Sequence, residues 1–260
     1  MDLGGRVALV TGGGGHIGSV MAEALLELNA RVIIHDVDEG ACHSAVGRLR
    51  SMGFQQVEPR VADLSDESQT RELARSSTAV NGRLDILIHS AAFVGTTRFP
   101  GWAEPFDQQS LAAWDAALRV NLTAAFLLVQ EALPALRASG HGSVIFLSST
   151  YGMVGPDFGL YEGTAMQNPA AYGASKGGLV QLARHLATLL APEVRVNALT
   201  AGGVERGQPE LFQARYRART PLGRMATEED YKGAAAFLAG DLSAYVTGHN
   251  LVVDGGWTAW

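Results

Sequence analysis

Of the six tyrosines in the chain, only Tyr172 is followed four residues later by a lysine, and Lys176 is one of only two lysines among the 260 residues. Positions i and i+4 of a helix share a face, so an ammonium at Lys176 would stabilise the phenolate of Tyr172 and pull its pKa from about 10 toward neutrality. A phenol tuned in this way can exchange a proton with an alcohol. Upstream, Ser148 and Ser149 close an aliphatic run, where a hydroxyl could hold the oxygen of a reacting alcohol or ketone. Alternation along a strand sends the two to opposite faces, so one of them serves and residue type alone leaves the choice open. Asn121, polar within the apolar stretch Leu118 to Leu136, either hydrogen-bonds backbone or holds a water.

A second constellation lies near the start. Thr11-Gly12-Gly13-Gly14-Gly15-His16-Ile17-Gly18 follows one aliphatic run and opens directly into a helical pattern, the context in which a glycine loop cradles a pyrophosphate. Gly12 suits the tight turn, Gly15 allows close backbone approach to the ligand, and Gly18 permits close packing of helix on strand. Asp36 closes the next run, where a carboxylate accepts both ribose hydroxyls of an adenosine and repels a 2′-phosphate. No Arg or Lys lies in the loop or directly after Asp36, so NAD is expected rather than NADP. A helix-capping role for Asp36 or Asp38 is the plain alternative. Asp63-Leu64 could reach the adenine edge, unless Asp63 or Ser65 simply caps the next helix.

These groups need a scaffold. Aliphatic runs at Arg6–Val10, Arg31–Ile34, Leu84–Ile88, Ser143–Leu147 and Val194–Ala198 read as strands. Helical spacing fills Ile17–Leu28, Asp38–Met52, Asp66–Val80, Leu111–Leu136 and Ala171–Leu190. Strands apolar on both faces that alternate with helices imply an α/β fold, a doubly wound parallel sheet with helices on both sides. Ligands then bind beyond the carboxyl ends of the strands. The long connections Ser90–Gln109 and Thr150–Pro169 fall on that side and are candidate substrate walls.

Composition narrows the partners. A net charge of −6 speaks against nucleic acid or an anionic membrane as the main partner, and no uninterrupted apolar run approaches a bilayer span. The single cysteine, Cys42, permits no internal disulfide, and the opening MDLGGRVALV lacks the pattern of a secretory signal, so a cytoplasmic setting is expected. The histidines show no paired metal-ligand spacing, so no catalytic metal is expected. The chain reads as one domain with a small-molecule substrate.

Thr11–Gly18, Asp36, Asp63-Leu64, Asn121, Ser149, Tyr172-x-x-x-Lys176, Arg195-Val-Asn-Ala and the ending Val246-Thr-Gly-His-Asn-Leu-Val-Val-Asp-Gly-Gly together resemble the short-chain dehydrogenase/reductase family over nearly the whole chain. The resemblance implies a Rossmann-type sheet of about seven strands and a tetrad. In it Tyr172 is acid/base, Ser149 binds the substrate oxygen, Lys176 binds ribose, and Asn121 orders a relay water. The family pattern Ser-x-x-Gly selects Ser149, because Gly152 follows it. The resemblance also places Gly12, Gly15, His16, Ile17, Gly18, Ser90, Ala91, Ala92, Gly202 and Val204 against the cofactor, with Tyr172 and Lys176. Three departures stand out. His16 replaces the middle glycine of the loop, so that the glycines at 12, 15 and 18 match the nucleotide-sugar branch. His89-Ser90-Ala91-Ala92 stands for Asn-Asn-Ala-Gly, and Ala201-Gly202 for Pro-Gly.

The gap between Ser149 and Tyr172 is longer than the family's usual spacing, and the extra stretch includes Phe158 to Asn168. This insertion resembles flagellin-modification or surface-sugar oxidoreductases and points to a sugar-derived substrate met by Ser149, Tyr161, Glu162 and Arg206, with Thr164, Gln167 and Asn168 suited to sugar hydroxyls. A plain surface loop is the alternative. Arg206, Arg215, Arg217, Arg219 and Arg224 fall in the lid expected over residues 201–226, where an anionic substrate group or a solvated helix face would account for them. The expected activity is NAD-dependent interconversion of a secondary alcohol and a ketone. The alternatives are a nucleotide-sugar epimerase or dehydratase that retains NAD, and a non-catalytic NAD-binding protein. By resemblance the chain forms a homotetramer, with Leu251-Val252-Val253, Trp257 and Trp260 suited to burial between subunits.

Overall fold

The computed structural model describes residues 1–79, 82–94 and 97–260. In chain order the elements are β1 (Val7–Thr11), α1 (His16–Glu27), β2 (Arg31–Asp36), α2 (Glu39–Ser51), β3 (Val57–Val61), α3 (Glu67–Ala79), β4 (Ile86–His89), α4 (Leu111–Leu118), α5 (Ala124–Ala138), β5 (Gly142–Ser149), α6 (Ala170–Leu190), β6 (Val194–Ala201), α7 (Glu210–Arg219), α8 (Lys232–Ala239) and β7 (Asn250–Val253). Val80, expected to close the third helix, lies outside the described residues. The strands form one parallel seven-stranded sheet in the order β3-β2-β1-β4-β5-β6-β7.

Period-two alternation explains the layers. Ala8, Val10, Val32 and Ile34 face one core with Met21, Leu25, Leu49 and Leu238 of the covering helices. Leu9, Ile33, Leu87 and Phe146 face the other, with Leu73, Leu128, Leu179 and Leu186. Each fully buried Leu or Ile contributes about 1.5–3 kcal/mol, which makes both faces of the central strands obligatory core. The chain order reverses between β1 and β4, so the crevice beyond Thr11 and His89 is where a ligand should sit.

Two elements depart from expectation. The third strand contains Glu58, Pro59 and Arg60 and therefore lacks an aliphatic signature; it occupies the sheet edge, where a missing N–H is tolerated. The helix expected over Leu111–Leu136 is not uniform, because a five-residue π turn, Arg119–Thr123, separates α4 from α5 around Asn121. Such turns release a carbonyl from the regular ladder and recur at functional sites. The joined stretch Leu111–Ala138 has the length and composition to cross a membrane, yet Ala124, Leu128, Ala132 and Leu136 pack beneath the sheet as core.

Candidate active site

The carboxyl end of β5 and the first turns of α6 bring the catalytic candidates together. Ser148 turns inward and donates its Oγ hydrogen to the Lys176 carbonyl at 2.9 Å, which fastens β5 to α6. Ser149 faces the crevice, accepts a hydrogen bond from Tyr151 N–H at 3.3 Å, and abuts the Tyr172 phenol. Of the two serines, Ser149 is thus the one whose hydroxyl lies beside the Tyr172 phenol. Gly152 is needed for the same junction, since an added Cβ would stand 2.7 Å from both the Lys176 carbonyl carbon and Ser148 Oγ. Asn121 is fully buried, with Oδ1 accepting from Phe93 N–H at 2.7 Å and Nδ2 donating to Ser175 Oγ at 2.9 Å.

The electrostatics differ from the expected ammonium–phenolate pair. Lys176 shares the Tyr172 side of α6, but its Nζ donates to the Leu147 carbonyl at 2.7 Å and lies 5.8 Å from the centre of the tyrosine ring. Burial raises the Tyr172 phenol above its ordinary value, and Ser149 and the more distant Arg206 cation only partly oppose this. Burial lowers Lys176 to about 7. Helical spacing places the two residues on one face but does not stop the ammonium from taking a backbone acceptor.

At the other end of the crevice, Gly12 holds the left-handed turn at φ 64° and packs on the backbone of Ser90 and Ala91. An added Cβ at Gly18 would collide with the Gly12 carbonyl, as close helix-on-strand packing requires. His16 is the first residue of α1 in ordinary helical backbone, so its substitution for glycine leaves the loop intact. Its imidazole points outward to Glu228 at 3.2 Å. No side chain caps α1, whose N-terminus opens at Gly15, while Ile17 packs on the core. Asp36 sits against the loop, its Oδ2 2.9 Å from where a Gly14 Cβ would be. Gly14 is thus a member of the cradle that sequence reading passed over; its signal was the unbroken run of four glycines. Asp38, not Asp36, caps α2 by accepting from Ala41 N–H at 2.9 Å. Asp66 caps α3, whereas the Asp63 carboxylate accepts a local bond from Ser65 N–H, and Leu64 is buried in the core. Open helix N–H groups, a loop without Cβ atoms and the adjacent Asp36 carboxylate, whose Oδ1 accepts from Asp38 N–H at 3.2 Å, fit a nicotinamide dinucleotide.

Aromatic residues wall the crevice. Phe93 and Trp102, from the first long connection, pack in one cluster with Tyr172; Ala92 precedes them. From the second come Tyr151 and Tyr161, whose hydroxyls are 3.1 Å apart, with Asn168 Nδ2 donating to Tyr161 at 3.3 Å. Tyr161 meets Phe212 of α7 edge to face, and Trp257 stacks on Tyr216. Trp257 is 1% exposed inside this cluster, which corrects its expected place between subunits; Trp260 remains exposed. The arginines likewise hold the wall. Arg219 pairs with Asp157 at 2.5 Å and lies 4.8 Å over Trp257, and Arg215 donates to the Glu162 carbonyl at 2.5 Å, leaving the Glu162 side chain exposed. Arg217 pairs with Glu210, Arg224 with Asp230, and Arg206 with Glu228. An array waiting for an anion is therefore not what these five residues form. Gly202 and Val204 follow β6; Gly202 accepts from Tyr231 OH at 3.0 Å, and Val204 bridges Ala226.

Comparison with known proteins agrees with this geometry. The profile of the family described as enoyl-(acyl carrier protein) reductase matches residues 14–258. The cis-4-hydroxycyclohexanecarboxylate dehydrogenase of Sinomonas cyclohexanicum is 36% identical over 262 residues, covering 98% of this chain and 97% of the relative. A rhamnolipid-biosynthesis 3-oxoacyl-[acyl-carrier-protein] reductase of Pseudomonas aeruginosa is 35% identical over 98% of this chain and 97% of its own. Among solved structures, a gluconate 5-dehydrogenase from Burkholderia cenocepacia in complex with NADP and tartrate superposes with a TM-score of 0.86 at 30% identity, covering 100% of this chain and 97% of the other. With a glycine loop at the switch point, a Ser-Tyr-Lys cluster at the ends of β5 and α6, and such relatives along its whole length, the chain belongs to the short-chain dehydrogenase/reductase family.

Proposed function

We propose that the protein is an NAD(H)-dependent oxidoreductase that interconverts a secondary alcohol and a ketone on a ring-shaped, hydroxylated substrate of sugar-like character. The observation that carries this reading is the approach of Ser149 to the Tyr172 phenol, with Lys176 on the same side of α6 and Asn121 anchored behind it. When bound, NAD supplies the hydride acceptor. Gly12, Gly15, Ile17 and Gly18 would hold its pyrophosphate, Asp36 its adenosine ribose, and Asp63 and the Leu64 backbone its adenine. Ser90, Ala91, Ala92, Gly202 and Val204 would flank the remainder, with Tyr172 and Lys176.

In the oxidative direction Ser149 holds the substrate hydroxyl, Tyr172 takes its proton as phenolate, and Lys176 passes the proton outward to a relay water ordered by Asn121. In reduction the neutral phenol, which burial favours, donates to the ketone oxygen. Tyr151, Tyr161 and Asn168 offer hydrogen bonds to ring hydroxyls between apolar faces. The relative named for a hydroxycyclohexanecarboxylate is in keeping with a ring, and the one named for gluconate, an open-chain polyhydroxy acid, with the sugar-like hydroxyls. NAD is favoured over NADP by Asp36, although a solved relative holds NADP. A cytoplasmic homotetramer completes the reading.

Fluorescence titration with NADH and NADPH tests the cofactor, with at least tenfold tighter NADH expected, or about 1.4 kcal/mol. Tighter NADPH would overturn the Asp36 assignment. Oxidation of gluconate, cis-4-hydroxycyclohexanecarboxylate and a series of sugar alcohols, followed by net NADH absorbance, tests the reaction. Conversion of a nucleotide sugar without net absorbance change would favour the epimerase alternative.

A further inference from the structure

The strands that meet at the switch point end in a buried polar row. Thr11 pairs in register with His35 on one side and His89 on the other, so the three side chains share one face of the sheet. His89 is fully buried, with Nδ1 3.0 Å from Thr11 Oγ1 and Nε2 3.2 Å from the carbonyl oxygen of Asn121. The two ends of this row fix every proton in it. The Asn121 carbonyl only accepts, so His89 Nε2 must carry the hydrogen. The Ser90 and Ala91 N–H groups only donate, and both reach Thr11 Oγ1, at 3.2 and 3.3 Å, which leaves the Thr11 hydrogen for His89 Nδ1. Beyond Asn121 the row continues through Nδ2 to Ser175 Oγ, and from the Ser175 hydroxyl to the Tyr172 carbonyl at 2.8 Å.

We propose that His89 is a positioning residue for proton exchange at Tyr172. With its proton on Nε2 it fixes the Asn121 carbonyl in the π turn, and through Asn121 and Ser175 it holds the first turn of α6 in register with the strand that carries the glycine loop. This rests on the reading of Tyr172 as the acid/base group. His89 is not itself the proton carrier. Burial first, then the Lys176 charge from α6, push it down to about 3, with His35 of β2 acting in the same sense and the Val120 and Asn121 carbonyls opposing. A neutral imidazole with one donor and one acceptor committed is a strut between two elements. A glutamine here, whose amide nitrogen reaches about as far as the imidazole Nε2, could still donate to the Asn121 carbonyl, whereas an alkyl group could not.

The test reads the imidazole and the phenol separately. Histidine labelled with nitrogen-15 in the unaltered protein, assigned by the signal lost in His89→Asn, is expected to show His89 neutral with the proton on Nε2 near neutral pH. Tyrosine labelled with carbon-13 at Cζ, assigned by Tyr172→Phe and measured with saturating NAD, reports the proton affinity of Tyr172. His89→Leu is expected to change that affinity at least tenfold, a shift of one pH unit, and His89→Gln to restore most of it. An Nδ1–H tautomer, a charged imidazole, or a folded His89→Leu protein with an unchanged Tyr172 titration would each overturn the proposal. If His89→Leu does not fold, Thr11→Val keeps the imidazole but frees Nδ1; a shift of the Tyr172 titration supports the proposal, and no shift overturns it. Turnover retained by Tyr172→Phe would instead refute the acid/base reading, leaving the tautomer result intact.

Discussion

Ser148 and Ser149 are neighbours with opposite duties: one fastens β5 to the backbone of α6 and the other faces the crevice. Gly152 shares that junction, so Gly152→Ala should push α6 away at Lys176 and lower kcat by roughly 10- to 100-fold, since a shift of about 1 Å can cost that much. Steady-state kinetics with circular dichroism checks that the loss is not one of folding. Lys176 carries a pH signature. Its folded pKa is lowered from 10.5 to about 7, so across that interval the unfolded chain binds a proton that the folded chain does not. Burying the ammonium is a cost borne in full below about pH 7 and relieved as pH rises toward 10.5. Lys176→Met should abolish that rise, which denaturant midpoints measured across the interval would reveal.

Insertion and lid act as one element. Arg219 joins Asp157 and covers Trp257, Arg215 grips two carbonyls of the insertion, and Tyr161 packs on Phe212. Arg219→Ala should loosen this wall, raising the substrate KM about fivefold for roughly 1 kcal/mol of lost pairing and cation–π contact while leaving NADH affinity unchanged. Limited proteolysis within residues 150–170 should quicken in parallel. These elements also mark how far sequence reading reaches. Leu9, Ile33 and Leu87 declare their strands by unbroken burial on both faces, and Gly12 and Gly18 declare the loop by spacing. Glu58-Pro59-Arg60 conceals β3, because an edge strand needs no apolar signature. The π turn at Asn121 is hidden because its cause, the bonds to His89, Phe93 and Ser175, joins residues far apart in the chain. For the same reason residue types leave an anion site and a solvated face both open for arginines that find carboxylates and carbonyls of their own chain.

On the scale of the whole molecule, an open α1 N-terminus and Asp36 lie on one side of the switch point, and Ser149 and Tyr172 on the other. A dinucleotide spanning the crevice would join the two halves of the sheet. Exposed Leu111 and Phe126 on the joined α4–α5 stretch suit association of the proposed tetramer. Phe126→Glu should therefore lower the assembly state in sedimentation velocity, whereas Trp257→Ala should disturb the substrate wall and leave assembly unchanged. The role proposed for Tyr172 is exchange of the substrate proton in a net NAD-linked oxidation. It is tested most directly by comparing the unaltered protein with Tyr172→Phe for NADH formation from gluconate, cis-4-hydroxycyclohexanecarboxylate and sugar alcohols, with NADH binding measured alongside. Net NADH is expected from the unaltered protein, with a loss of at least about 100-fold in the variant and equal NADH affinity in both. A variant that binds NADH normally and still turns over at the original rate would contradict that role.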